Sequence, residues 1–265
     1  LRQCGLYRDA VTLYETTLKT NPNCRIILNN LGKVFIDTGR LPEGIEKFRK
    51  AISLDSDYAE ANYNLGNALL ETGHSQEAIQ YYRQALRSAP NLTIAHNNLA
   101  VALLNTGNPR EAIGHCQEAL QAMPDNIEAY NNLGNALKAI GKYPQAIEQY
   151  NKAIQLNPNY SDTYVNLAAA MVESGRPAKA IESCRQALEL RPNFATTYFV
   201  LALAYARMGQ TSTAVAAAQK ALELARKNGE TELVNKIENW LKSSRNNLPA
   251  TSNATSPEKT TLPPR

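Results

Sequence analysis

Apolar residues recur along this chain at helical spacing, in blocks of constant length. Within residues 59–90, Leu65, Gly66 and Leu69 form one small-and-apolar stripe, and Ala78, Tyr82, Ala85 and Leu86 form another. Charged and amide residues fill the intervening positions, which is the 3.6-residue periodicity of two amphipathic helices laid face to face. Gly73 stands between the stripes, where the first helix must end in a left-handed turn. Gly66 lacks a Cβ and Ala78 has only a methyl, so the two helices can approach closely there while Tyr82 covers the gap alongside.

The block repeats every 34 residues. Glycines fall at Gly5, Gly39, Gly73, Gly107, Gly141, Gly175 and Gly209, and small residues follow five positions later at Ala10, Gly44, Ala78, Ala112, Ala146, Ala180 and Ala214. Prolines open the second helix at Pro42, Pro109, Pro144 and Pro177, where the missing N–H costs nothing. Other prolines close the units at Pro22, Pro90, Pro124, Pro158 and Pro192. Such a fixed period marks a stacked helical array whose core grows with each unit. At Gly44 the loss of the methyl is expected to weaken the second helix by about 1 kcal/mol.

This pattern, over residues 1 to 228, resembles the tetratricopeptide repeat family. The resemblance implies an all-α, right-handed superhelical solenoid of helix-turn-helix units whose first helices line a concave surface. The expected organisation is a partial unit at 1–24 contributing only a second helix, over residues 7 to 20. Six full units follow at 25–58, 59–92, 93–126, 127–160, 161–194 and 195–228. Leu6, Val11 and Tyr14 of the partial unit are expected to be partly uncovered. A capping helix at 229–243 presents Leu233, Ile237, Trp240 and Leu241 as one stripe, and a disordered Asn, Ser, Thr and Pro-rich tail runs from 244 to 265. The tail carries one glycosylation-type triplet beginning at Asn253. Two others, at Asn91 and Asn159, coincide with the repeated Pro-Asn turns and carry no inference of secretion.

Charge and chemistry narrow the function. The chain of 265 residues has 28 basic and 24 acidic side chains, a net charge of +4, with no run of five like charges. That balance gives no sign of a nucleic-acid-binding face. No apolar run is long enough to span a bilayer, so no membrane contact is expected of this segment. Cys4, Cys24, Cys116 and Cys184 lack metal-ligand spacing; the last two occupy the aromatic slot of the second helix and read as small core residues. His74, His96 and His115 belong to no recognised catalytic or metal motif, and the phosphate-binding, nucleophile-elbow and dinucleotide fingerprints are missing. The sequence therefore predicts a non-catalytic protein with no cofactor and no metal.

One comb of polar residues points to function. The sixth position of successive units reads Asn30, Asn64, Asn98, Asn132 and Asn166 before ending at Val200, and Asn67 and Asn135 lie three residues further on. An amide carries both donor and acceptor, which suits it to an extended peptide backbone. The column resembles the asparagine ladder in the repeat arm of O-GlcNAc transferases and of armadillo-type import receptors. Asparagine here also suits a merely solvated concave wall. On the face that the resemblance assigns to the groove, the acids Asp37, Glu60, Glu71, Glu128, Asp162 and Glu173 outnumber Lys33, Lys138 and Arg207. The basic clamp of the co-chaperone members is missing, since its second positions are Ile26, Glu60, Ile94, Glu128 and Asp162. The expected partner is an extended protein segment, neutral to basic, with Tyr63 and Phe199 as apolar contacts. Two alternatives are a substrate-recruiting arm of a larger glycosyltransferase encoded upstream, in a membrane or O-GlcNAc-transferase-like setting, and a scaffold that self-associates through its exposed N-terminal end.

Overall fold

The computed structural model describes residues 2–246, with side chains over 9–244. Its fourteen helices run in the order α1 (Arg2–Thr20), α2 (Arg25–Asp37), α3 (Leu41–Leu54), α4 (Ala59–Glu71), α5 (Ser75–Ser88), α6 (Thr93–Asn105), α7 (Pro109–Ala122), α8 (Ile127–Ala139), α9 (Tyr143–Leu156), α10 (Ser161–Glu173), α11 (Pro177–Leu190), α12 (Ala195–Arg207), α13 (Thr211–Asn228) and α14 (Thr231–Asn246). Helices α2 to α13 form six hairpins, called units 1 to 6 below, and stack as an all-α repeat solenoid.

Each hairpin turns on a glycine. Gly39, Gly73, Gly107, Gly141, Gly175, Gly209 and Gly229 all have φ between 73° and 79°, a region that strains any residue with a Cβ. At Gly73 the two free carbonyls are closed in a Schellman arrangement: the Gly73 N–H donates to Leu70 O at 3.1 Å, and the His74 N–H to Leu69 O at 2.8 Å. Gly5 behaves differently. It lies inside α1, which runs unbroken from Arg2, in place of the expected turn.

The hairpins close by a notch and a knob. Leu65, Ala78, Tyr82 and Ala85 are fully buried. A Cβ added to Gly66 would lie 2.7 Å from a Tyr82 ring carbon, one on Gly134 2.4 Å from Tyr150, and one on Gly32 2.6 Å from Phe48. Units 3 and 5 use the complementary solution: Ala100 and Ala168 fill the notch and the knob shrinks to Cys116 and Cys184, all fully buried. Gly44 has a structural reason beyond helix propensity, since a Cβ there would meet the Ile36 side chain at 2.6 Å and the Gly32 carbonyl at 3.0 Å. The expected loss of helix propensity is set against that packing.

Stacking is asymmetric. The backbones of successive first helices α2, α4, α6, α8, α10 and α12 approach one another closely, whereas successive second helices stand further apart and meet through long side chains. The first helices therefore form the inner layer and the second helices the outer one. On the outside, Arg49 reaches Glu77 at 3.1 Å and Arg83 reaches Glu111 at 2.6 Å, bridging α3 to α5 and α5 to α7. At the C-terminal end, α14 lays Ile237, Trp240 and Leu241 over Ala218, Ala221, Leu224 and Ala225 of α13. Helix α14 continues through Asn246, past the expected start of the loose tail. The tail from 247 to 265, with Asn253, and the side chains of Cys4 and Leu6 lie outside the described residues. In α1, Val11 and Tyr14 are half-buried and Leu13 is 63% exposed.

Candidate functional site

The asparagine column lies along the inner helices, but its amides are not all free to face a ligand. Asn64 Nδ2 donates to Asn29 Oδ1 at 2.9 Å, and Asn132 Nδ2 donates to Asn97 Oδ1 at 2.8 Å. Asn98 Nδ2 donates twice, to Asn67 Oδ1 at 2.9 Å and to Tyr63 Oη at 3.3 Å. Each bond crosses from one unit to the unit before. The sixth-position amides thus use N–H groups to join units, while the Oδ1 atoms of Asn64, Asn98 and Asn132 keep no partner among the described residues. Asn30 and Asn166, both half-buried, make no hydrogen bond within the described chain.

Asn67 and Asn135 are oriented the other way. The Tyr82 hydroxyl donates to Asn67 Oδ1 and the Tyr150 hydroxyl to Asn135 Oδ1, each at 2.8 Å. Burial raises the pKa of both tyrosines, so each remains a protonated donor across the neutral range. With the carbonyl end held, the Nδ2 of both amides is left for solvent or a ligand. These two amides present donors, and the column beside them presents acceptors.

A second row lies one residue earlier, at the fifth position. Asn97 is 5% exposed and completes a relay, receiving from Asn132 and donating to Glu128 Oε2 at 3.1 Å. The equivalent relays are incomplete. Asn29 Nδ2 is buried without an acceptor, because Glu60, which corresponds to Glu128, turns to Lys33 at 3.4 Å. Asn131 donates to Ile127 O at 3.3 Å, and its buried Oδ1 receives nothing. The acid that corresponds there, Asp162, is one carbon shorter and lies 3.6 Å from Arg191.

The bases of this face are largely occupied. Lys33 pairs with Glu60, and Arg207 with Glu173 at 3.8 Å. Burial lowers the pKa of Lys138, with Glu173 pulling the other way. Asp37 and Glu71 are exposed and carry no ion pair among the described residues, and Glu128 has only its amide contact. A surplus of negative charge remains on the inner layer.

The two aromatics expected in the groove have other partners. The Tyr63 ring lies 6.2 Å from Tyr82 and its hydroxyl accepts from Asn98. Phe199 stands edge-on to Trp240, at 6.2 Å and 84°, and belongs to the C-terminal cluster. Sequence reasoning also missed a histidine pair. His96 Nδ1 lies 3.0 Å from His115 Nδ1, and Pro90 O lies 3.0 Å from His96 Nε2. Both rings line an open cavity of about 550 Å³ with Arg83, Leu86, Arg87 and Glu111. Cys116 instead turns into the core. Among the described residues no group of three or more His, Cys, Asp or Glu converges on a metal-sized space, and no helix is long and apolar enough to cross a membrane.

Comparison with known proteins agrees with this architecture. Models described as TPR repeat or tetratricopeptide repeat match residues 32–73 and 134–175, 63–127, 115–148 and 159–227. No curated protein sequence matches the chain. Among solved structures, a tetratricopeptide repeat protein from Parabacteroides merdae superposes with a TM-score of 0.70 at 18% identity, covering 89% of this chain and 94% of that one. YrrB, described as a TPR protein with an unusual peptide-binding site, gives 0.61 at 22% identity, covering 69% of this chain and 95% of its own. MamA gives 0.53 at 30% identity, over 63% of this chain and 97% of its own.

Proposed function

The chain belongs to the tetratricopeptide repeat family, and from that premise we propose that its inner face binds an extended, neutral-to-basic segment of another protein along the asparagine column. Members of this family are generally non-catalytic interaction modules, which sets the coarse function. The observation that carries the finer reading is the set of unpartnered amide atoms on the inner helices: Oδ1 of Asn64, Asn98 and Asn132, and both ends of Asn30 and Asn166. Polar atoms of this kind match the N–H and C=O groups of a peptide backbone without reading its side chains. The unpaired Asp37 and Glu71 add a preference against acidic ligands.

Alanine at Asn64, Asn98 or Asn132 would also cut bonds between units, so Asn30 and Asn166 are the cleaner probes. Random twelve-residue peptides displayed on phage would be panned on the protein, and enriched sequences titrated by fluorescence anisotropy. The expected result is enrichment of peptides without acidic residues and a loss of about five- to tenfold in affinity for the Asn30→Ala, Asn166→Ala double variant, near the net worth of one hydrogen bond. Enriched peptides that are acidic, or that ignore both substitutions, would sink the reading.

A second reading, self-association through the N-terminal end, draws on Leu13, which is 63% exposed beside half-buried Val11 and Tyr14. It requires a concentration-dependent dimer in sedimentation equilibrium that Leu13→Ser abolishes. A monomer at all concentrations would remove it.

A further inference from the structure

The groove is not a uniform ladder. Three features coincide in units 2 and 4: a notch glycine (Gly66, Gly134), a knob tyrosine packed into it (Tyr82, Tyr150), and an amide receiving that tyrosine's hydroxyl (Asn67, Asn135). None of the three occurs in units 3, 5 and 6, where the notch holds Ala100, Ala168 or Ala202, the knob is Cys116, Cys184 or Ala218, and the ninth position is Val101, Ala169 or Leu203. Unit 1 has the notch Gly32, but its knob Phe48 lacks a hydroxyl and its ninth position is Lys33, held by Glu60. The hydroxyl and the amide therefore occur together or not at all.

We infer that units 2 and 4 are two fixed peptide-gripping stations separated by an aliphatic step, with Tyr82 and Tyr150 as positioning residues that hold the Asn67 and Asn135 amides donor-outward. The inference rests on the peptide-binding reading above and adds to it a spacing and a side-chain preference. Each station presents an acceptor (Asn64 or Asn132 Oδ1) and, one helical turn away, a donor (Asn67 or Asn135 Nδ2), which together answer both polar groups of a peptide backbone. Unit 3 between them presents only an acceptor, because Asn98 has used both donors, and sets Val101 where the second amide would be.

The spacing follows from packing. Neighbouring packed helices lie roughly 8–10 Å apart, so two steps span about 16–20 Å. An extended chain rising about 3.3 Å per residue covers that in about five or six residues. The partner segment thus has two backbone contacts about that far apart, with an aliphatic side chain between them over Val101.

The test uses the same panned twelve-residue peptides. Expected are enriched sequences with a central aliphatic residue, a loss of tenfold or more for the Asn67→Ala, Asn135→Ala variant, and a loss of about three- to tenfold for Tyr82→Phe, Tyr150→Phe. Phenylalanine already occupies this slot at Phe48, so the fold tolerates the change. In the Asn67→Ala, Asn135→Ala background the tyrosine substitutions should cost nothing more, which a purely structural role for the hydroxyls would not produce. Equal losses in both backgrounds would overturn the positioning role. Peptides weakened by Asn30→Ala and Asn166→Ala but unmoved by Asn67→Ala and Asn135→Ala would leave the groove reading standing and overturn the stations. If no peptide is enriched, or none responds to any of these substitutions, both fall together.

Discussion

Asn132 Nδ2 meets Asn97 Oδ1 at 2.8 Å, a bond between residues 35 apart in sequence that exists only when one unit is stacked on the next. Asn97 passes its own donor on to Glu128, which belongs to the same unit as Asn132. The interface between units 3 and 4 is therefore tied by a polar relay as well as by apolar packing.

Replacing Asn97 with alanine removes both bonds and leaves the Asn132 amide and the Glu128 carboxylate to find water. The expected loss is about 1–3 kcal/mol in urea unfolding. Combining it with Asn132→Ala should cost less than the sum of the two, with a coupling of about 0.5 kcal/mol or more. Strict additivity would mean that the relay does not stabilise the stack.

Two glycines on the helices should respond in opposite directions to alanine. Gly114 lies within α7 with nothing within 4 Å of an added Cβ, so Gly114→Ala is expected to stabilise by about 0.4–1 kcal/mol. At Gly134 the added carbon would lie 2.4 Å from the Tyr150 ring, and the overpacking should cost about 1–3 kcal/mol. Adding Tyr150→Cys to Gly134→Ala relieves the clash but empties a fully buried site and cuts the bond to Asn135, so the double variant should melt below Gly134→Ala. Thermal melts of the three variants check the ranking.

Burial pushes the thiols of Cys116 and Cys184 up to about 12. Held protonated and fully buried, both are poor nucleophiles near neutral pH, so a thiol reagent should modify the half-buried Cys24 while sparing them. Peptide mapping after brief labelling reads this directly. Because the folded protein holds these protons more tightly than the unfolded chain, stability is retained below pH 9 and lost as pH rises above it. The same sign applies to Tyr82 and Tyr150 above their ordinary value of 10.0.

His115 has the opposite behaviour. Burial and the neighbouring His96 lower its pKa from 6.5, Arg83 acts in the same direction, and Glu111 and Glu118 oppose them. When both rings are neutral, the carbonyl of Pro90 takes the His96 Nε2–H, which leaves His96 Nδ1 as the acceptor and His115 Nδ1–H as the donor of the bond between the rings. The unfolded chain takes up the proton first, and stability should fall as pH drops below about 6.5. His115→Gln should flatten that limb of a denaturation series between pH 5 and 7; an unchanged slope would assign it to other groups.

The turns at Gly39 to Gly209 and the notch-and-knob pairing of Gly66 with Tyr82 were legible in the sequence, because each depends on residues within one hairpin. The asparagine column was legible as a row of positions, whereas the direction of its amides was not. That direction is set by Asn29, Asn67 and Asn97 of the preceding units and by the hydroxyls of Tyr82 and Tyr150, which come into reach only after helices pair and stack. The same applies to Phe199, which fitted an inner-face position by register and is claimed by Trp240 once α14 folds over the end. His96 and His115 lie on two helices of one hairpin, and single-position reading gave no signal of their contact.

The outer Arg–Glu bridges are unevenly placed along the array. Arg49–Glu77 and Arg83–Glu111 clip units 1 to 3 together on the side away from the inner layer. The corresponding positions further along are Gln117 and Gln145, Asn151 and Lys179, and Arg185 and Thr213, none of them an opposite-charge couple. Under tension between the two ends, the outer seam of units 3 to 6, which lacks these clips, is expected to part before that of units 1 to 3. Exposed pairs of this kind are worth up to about 1 kcal/mol each and are screened by salt, so the difference should shrink as ionic strength rises.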